Sequence, residues 1–227
     1  MLTRFAHLSQ PWRIFILLLL TDFLLLYLHV LFAQSGSLFF HLDYENNLPT
    51  TYQSFKLILF GGFFIYQLLH HKITGSSLSF LLPLSLFMIV LGLDELLQLH
   101  ENVYRLFELT DLFSPTKVVD ASLAIGYRSS LWILYYLPIF FLFFFWIGYW
   151  FRYFQVKIRV NSYLLMLTNS TLLIVLAIEI ISSTGEYSHH AYFWLTTIEE
   201  VAEMLFASTL TAIGLLTVAK QPKPVRN

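Results

Sequence analysis

Acidic side chains interrupt several of the long apolar segments in this sequence. Six acids lie inside or at the edge of runs rich in Leu, Ile, Phe and Val: Asp94, Glu95, Glu179, Glu199, Glu200 and Glu203. An ionised carboxylate at the centre of a lipid-spanning helix costs roughly 2.5 to 3.5 kcal/mol on insertion scales, so acids in such segments usually have a function. Carboxylates that lie close together in a low dielectric must share protons, pair with cations or bind a metal. These six residues are therefore the candidate site.

The spacing of the acids predicts that they line helix faces. Residues 94–98 and 199–203 both consist of two acids, two apolar residues and a further acid or amide. Since residues three and four apart share one face of a helix, each segment presents several oxygen atoms on one side. Antiparallel helices can place two such faces opposite each other, and Glu179 adds an acid from a third helix. We therefore expect the carboxyl groups of three helices to converge.

Glu186 and His189 have the Glu-x-x-His spacing that carboxylate di-iron bundles use. Residues 182–185, with the sequence Ser-Ser-Thr-Gly, indicate a helix end just before this pair. A helix end would place the pair in a connection rather than on one helical face, so chance explains the spacing better.

The first functional hypothesis is a metal centre. A divalent ion held by the acids would activate water or oxygen for hydrolysis or oxidation of a lipid or another amphipathic substrate. The candidate ligands are Asp94, Glu95, Glu179, Glu199 and Glu203. The candidate proton carriers are Glu200 and His100. Oxygen-rich ligation with one or two histidines suits Zn, Fe, Mn, Mg or Ca, and the sequence does not choose among them.

The second hypothesis is a small cation or proton transporter or channel that uses the same acids. Asp22 lies near the middle of the first apolar segment, and His29 follows seven residues later on the same helical face. These two residues would extend a polar path inward. Replacing Asp22 with Asn separates the two hypotheses, because a carrier should fail and an enzyme at the outer face should not. A third hypothesis is an assembly or scaffold protein whose buried acids only fix helix register.

Composition defines the elements that must position these residues. The 227-residue chain is 57% hydrophobic and 12% charged, with a mean hydropathy of +0.68, whereas soluble domains carry about 25% charged residues. We therefore expect an integral membrane protein surrounded by the lipid bilayer. Cysteine is absent, which excludes disulfides, iron–sulfur clusters and thiolate metal sites. No haem or nucleotide motif is present, and the lack of a basic stripe argues against a nucleic-acid partner.

Six apolar windows approach the length that crosses a hydrocarbon core of about 30 Å. They are approximately Trp12–Ala33, Phe55–Leu69, Leu78–Leu99, Leu131–Phe151, Tyr163–Ser182 and Ala191–Val218. We therefore predict one all-α polytopic bundle over residues 1–227. The longest connection, residues 102–130, is predicted to begin with an extension of the third helix, because residues 94, 98, 101, 105 and 108 form one polar stripe. None of these motifs is specific enough to place the chain in a known family.

Basic residues predict the orientation, because Lys and Arg are enriched in loops that stay in the cytoplasm. Nine of them fall in the terminal segments and the second and fourth connections, and four, including Lys56, fall on the opposite side. We therefore place both termini in the cytoplasm and the acids near the extracytoplasmic face of a cell membrane. In a bacterium this would be the cytoplasmic membrane.

Overall fold

The computed structural model describes residues 9–32, 38–42, 47–70, 73, 75–102, 120, 123, 132–157 and 159–220, and the regular structure of these residues is entirely helical. The helices are α1 (Gln10–Phe32), α2 (Leu48–His70), α3 (Gly75–Leu97), α4 (Leu99–Asn102), α5 (Trp132–Lys157), α6 (Arg159–Thr184) and α7 (His189–Ala219), with a 3₁₀ turn at Leu38–Phe40. The six long helices correspond to the six apolar windows of the sequence, so the expected all-α fold is confirmed.

Five of these helices, α1, α3, α5, α6 and α7, are long and apolar enough to cross a membrane. Large apolar side chains on their outer faces, such as Leu20, Leu142 and Phe145, are exposed, as expected where a helix faces lipid. Helix α2 is also long but does not belong to this set, and its first half contains Gln53 and Lys56. The bundle has the architecture of a multi-pass membrane protein.

Helix α7 is the centre of the bundle. Every residue from 206 to 217 is buried, because α7 packs against α1, α2, α3 and α6. Ser188 caps its N-terminus by accepting a hydrogen bond from the backbone N–H of Ala191, as N-cap serines commonly do. A helix enclosed on all sides can carry polar residues only where neighbouring helices supply partners.

Helices α2 and α3 approach each other closely because each contributes a glycine to their interface. A Cβ atom on Gly61 would lie 2.7 Å from Ile89 Cγ1 and 2.9 Å from the carbonyl oxygen of Ser85. A Cβ atom on Gly92 would lie 2.9 Å from the carbonyl oxygen of Ser54. Small residues allow such close backbone packing between membrane helices. The contact fixes the first half of α2 beside the second half of α3, where the acids of α3 lie.

Aromatic side chains fill one end of the bundle. Phe80 stacks on Trp146 at a centroid distance of 5.1 Å and meets Trp150 and Phe154 at 5.1 and 5.0 Å. The antiparallel course of the helices places this end opposite the acids. We call this end the aromatic half and define it by six residues of one apolar cluster: Phe15, Phe64, Phe80, Trp146, Trp150 and Phe154.

The backbone departs from the expected course after α3. Helix α3 ends at Leu97, and Gln98 has a φ angle of +52°, a left-handed conformation that interrupts an α-helix. The prediction of a continuous helical extension is therefore wrong at this point, and α4 is a separate turn that contains His100. Arg105 and Glu108, with most of the 102–130 connection, lie outside the described residues.

The connection between α6 and α7 agrees with the sequence. Helix α6 ends at Thr184 and α7 begins at His189, so the expected helix end is confirmed. Glu186 lies in the connection rather than on a helix.

Candidate functional site

A buried ion pair joins α1 and α2 at the middle of the bundle. Lys56 Nζ lies 3.0 Å from Asp22 Oδ1, and the two side chains are 1% and 2% exposed. The interpretation of Lys56 as a basic residue of the exterior side is therefore wrong, because α2 begins at Leu48 and carries Lys56 into the bundle. Burying two charges costs several kcal/mol per ion unless their hydrogen bonds are satisfied.

Neighbouring groups satisfy both members of this pair. Lys56 Nζ also donates to the carbonyl oxygen of Met204 at 3.1 Å and to Ser208 Oγ at 3.2 Å. Asp22 accepts further hydrogen bonds from the Tyr52 hydroxyl at 3.0 Å and from Ser208 Oγ at 2.6 Å. The Lys56 ammonium lies 4.7 Å from the centre of the Tyr52 ring. Three helices, α1, α2 and α7, therefore meet at one charged centre.

Two acids of different helices meet nearer the end of the bundle. Glu199 on α7 lies close enough to Glu179 on α6 for their carboxyl groups to interact. Two carboxyl groups this close in a low dielectric are most stable when they share one proton. The indole N–H of Trp132 on α5 donates to Glu179 Oε1 at 3.1 Å. Glu200 and Glu203 are close enough to interact electrostatically with Glu199.

The amide of Gln53 lies between these acids and the ion pair. Gln53 Nε2 is 3.4 Å from Glu203 Oε2, and Gln53 is on α2, three residues before Lys56. Gln53 is only 5% exposed, yet its Oε1 atom has no hydrogen-bond partner among the described residues. A buried carbonyl oxygen without a partner is uncommon and calls for a physical explanation.

Asp94 near the end of α3 is bound by side chains of α4 and α5. The Tyr136 hydroxyl donates to Asp94 Oδ1 at 3.0 Å, and His100 Nδ1 lies 3.3 Å from Asp94 Oδ2. The break at Gln98 allows this contact, because residues six apart lie on different faces of a continuous helix. The His100 ring is 5.5 Å from the Trp132 ring, which links Asp94 to the environment of Glu179 through an aromatic contact.

The structure brings some of the predicted acids into contact and gives others separate partners. Glu179 and Glu199 are in contact, Glu200 and Glu203 lie beside them, and Asp94 is bound to α4 and α5. Glu95 interacts electrostatically with Lys56. Within the described residues, no group of three or more histidine, cysteine or acidic residues is arranged to hold a metal ion. Metal binding by these acids finds no support in this part of the chain.

His29 lies on the same buried face of α1 as Asp22, as the spacing predicts. Its Nε2 is 3.0 Å from Thr197 Oγ1, and its Nδ1 accepts a hydrogen bond from the backbone N–H of Leu42 at 3.2 Å. His41 lies beside it with the ring centres 4.8 Å apart. Burial lowers the pKa of His41 from its ordinary value of 6.5. The contacts with Thr197 and Leu42 give both nitrogen atoms of His29 partners within the protein.

The residues that sequence reasoning missed are the partners of the acids. Lys56 and Gln53 lie in the second apolar window or at its edge, and their separation of three residues on one helical face is a usable signal. Tyr52 and Ser208 carry no such signal, because hydroxyl groups are common in membrane helices. We call these neighbouring polar residues the polar network and define it by Asp22, Gln53, Lys56, Trp132, Glu179, Glu199, Glu203 and Ser208.

The fold and the polar network define the class of protein: a multi-pass helical bundle with a charged interior. The chain belongs to the family described as Domain of unknown function (DUF8692), whose family model matches residues 13–218. The matched segment includes the whole polar network. No curated protein and no solved structure matches the chain.

Proposed function

We propose that this protein moves protons across the membrane and that the polar network is its proton path. In the orientation that the basic residues predict, the path begins near the extracytoplasmic face at Glu179 and Glu199 and ends at Asp22. The observation that carries the proposal is the succession of polar groups from Trp132 to the Asp22 ion pair. Intramembrane acids that face a bundle interior commonly form proton relays.

The contact between Glu179 and Glu199 supports the first step of the path. Two carboxyl groups that share a proton can exchange it without creating a second buried charge. Glu203 is one turn further along α7 from Glu199, on the same face. A proton that leaves the Glu179 and Glu199 pair therefore has its next carboxyl acceptor toward the centre of the bundle.

The Gln53 amide supports the second step. An amide can serve both protonation states of a neighbouring carboxyl group, because its N–H₂ donates to a carboxylate and its carbonyl oxygen accepts from a carboxylic acid. In the structure Nε2 lies 3.4 Å from Glu203 Oε2, and no described residue donates to Oε1. Protonation of Glu203 would favour the reversed amide, with Oε1 as the acceptor.

The ion pair and the aromatic half support Asp22 as the inner end of the path. Asp22 is the deepest acid of the polar network, and Lys56 and Ser208 are its partners. Beyond Ser208, the Thr168 and Thr209 hydroxyls pair with each other at 2.8 Å, and the surrounding core is apolar. A path that runs from Glu179 and Glu199 to Asp22 and stops there fits one state of a carrier, since alternating access opens the site to one face at a time.

Proton movement into liposomes tests the proposal. Purified protein is reconstituted with an internal pH-sensitive dye, and a potassium gradient with valinomycin supplies the driving potential. We expect Asp22→Asn and Glu203→Gln to reduce the initial flux by about tenfold or more, the change that a barrier increase of about 1.4 kcal/mol produces. Glu203→Gln is the decisive variant, because it removes an acid without leaving Lys56 unpaired.

Glu186→Gln is the matched control. It makes the same chemical change at an exposed position in the connection between α6 and α7, outside the polar network. Its flux should equal that of the parent protein. A parent protein that gives no more flux than empty liposomes would contradict the proposal, as would equal flux in Glu203→Gln and Glu186→Gln. Wild-type behaviour of every acid variant in all assays would favour the scaffold hypothesis.

A further inference from the structure

A small cavity opens at the end of the bundle that carries the aromatic half. Its volume is about 200 Å³. Helix α3 contributes Ser76 and Phe80 to the lining, α5 contributes Tyr153, and Thr217 and Lys220 come from the end of α7. The cavity is separate from the polar network, since none of its lining residues belongs to that set.

The lining combines two kinds of surface. Lys220 supplies an ammonium group, and Ser76 and Tyr153 supply hydroxyl groups that hydrogen-bond each other. Phe80 is buried and forms the apolar wall next to these groups. A ligand that matches both surfaces carries a negative charge on an apolar body.

The position of the cavity restricts the ligand further. It lies where α3 begins and α7 ends, at the boundary of two helices that are long enough to cross a membrane. Trp150 and Tyr153 pack beside it with a centroid distance of 5.0 Å, and such aromatic residues are enriched at the level of lipid headgroups. Basic residues predict that this end faces the cytoplasm, where the inner leaflet carries anionic lipids.

We propose that this cavity binds the phosphate headgroup of an anionic phospholipid. Lys220 and the hydroxyl groups of Ser76 and Tyr153 contact the phosphate, and the apolar wall at Phe80 receives the first part of an acyl chain. Charge complementarity selects an anionic lipid over a zwitterionic one, because only the anionic lipid brings a net negative charge to Lys220. This site is independent of the proposed proton path.

Lipid titration of the purified full chain tests the proposal. Thermal stability in detergent is measured during addition of phosphatidylglycerol, of phosphatidylcholine or of inorganic phosphate alone. We expect phosphatidylglycerol to stabilise the parent protein and the other two to have little effect. Lys220→Gln and Ser76→Ala should each weaken the apparent affinity, the former by about fivefold, since one basic residue near anionic lipid contributes about 1 kcal/mol.

Arg152→Gln is the matched control for charge. Arg152 is an exposed basic residue of α5 next to Tyr153, but it does not line the cavity. Its phosphatidylglycerol titration should match that of the parent protein. Equal weakening by Arg152→Gln and Lys220→Gln would overturn the proposal in favour of general surface attraction. Stabilisation by inorganic phosphate as large as that by phosphatidylglycerol would also overturn it, because a free-anion site would explain the data.

Discussion

The two ends of the bundle are stabilised by different kinds of contact. The aromatic half is held by contacts such as that of Phe80 with Phe154, which need no partner outside the apolar cluster. From the middle of the bundle to the other end, the helices are held by the polar network, in which Asp22, Lys56 and Glu199 depend on groups from other helices. Apolar packing tolerates small changes, whereas a buried charge is costly once its partner is lost.

This difference indicates where the chemistry lies. Well-packed apolar residues would stabilise the same bundle at lower cost, because replacing a buried ion pair with apolar residues is often neutral or stabilising. Charged and polar groups of several helices that gather from the middle of the bundle to one end therefore favour the proposed function for that region. The aromatic half then serves as the scaffold and the closed side of the proposed path.

The largest expected effect comes from breaking the ion pair. Lys56→Met and Asp22→Leu should each destabilise the protein by about 3 to 5 kcal/mol, because each leaves an uncompensated buried charge. The double variant should recover most of this loss. Unfolding in detergent, followed by circular dichroism during titration with SDS, measures the three free energies. A double variant no more stable than either single variant would show that the pair is not an isolated electrostatic unit.

A smaller effect is expected at the interface of α2 and α3. Gly61→Ala should destabilise the bundle by about 1 to 3 kcal/mol, because the added methyl group meets Ile89 and a backbone oxygen. Gly62→Ala is the control, since a Cβ atom there meets no described residue within 4 Å, and alanine should stabilise the helix by up to about 1 kcal/mol. The same unfolding titration compares them. Equal stability of the two variants would mean that α2 and α3 are not in close contact.

A still smaller effect is expected from the pH dependence of His41. Its pKa in the folded protein is lowered from 6.5 by burial, so the unfolded chain binds a proton first as the pH falls. Stability should therefore decrease below about pH 6.5 and stop decreasing below the folded pKa. The melting temperature between pH 8 and pH 5 is compared for the parent protein and His41→Gln. An identical slope in both would remove His41 as a cause.

Removal of divalent metal should have no effect on proton flux. The part of the chain that the structure describes holds no group of three candidate ligands, and the proposed path uses side chains alone. Flux into liposomes is measured after dialysis of the protein against EDTA, with elemental analysis of the same sample. Loss of flux together with loss of a stoichiometric metal, restored by adding that metal back, would revive the hypothesis of a metal centre at Asp94, Glu179 and Glu199.

The sequence predicts the helices well because membrane helices depend on local composition. Apolar length locates each of the long helices, although the second window begins seven residues after the start of α2. The helix end near residue 184 follows from the run of Ser, Thr and Gly. The break at Gln98 is not predictable in this way, because a single left-handed residue has no composition signal when it is not glycine. The structure uses that break to bring His100 to Asp94.

The sequence does not predict which residues the acids contact. The match between Asp22 and Lys56 depends on how α1 and α2 pack, and residues 34 positions apart carry no periodicity that reports it. Lys56 also lies near the start of its apolar window, which makes an exterior position the simpler interpretation from sequence. The contact between Glu179 and Glu199 is easier to predict from the sequence, since antiparallel neighbours with acids at corresponding depths are expected to meet.

Infrared spectroscopy of the carboxyl groups tests most directly whether the polar network holds a mobile proton. The parent protein at neutral pH should show a band of a protonated carboxyl group, and this band should shift when the sample is transferred to D₂O. Glu199→Gln should lose the band, and Glu186→Gln should keep it. A spectrum of Glu199→Gln identical to that of the parent protein, or a parent protein without any protonated carboxyl band, would contradict the proposed proton path.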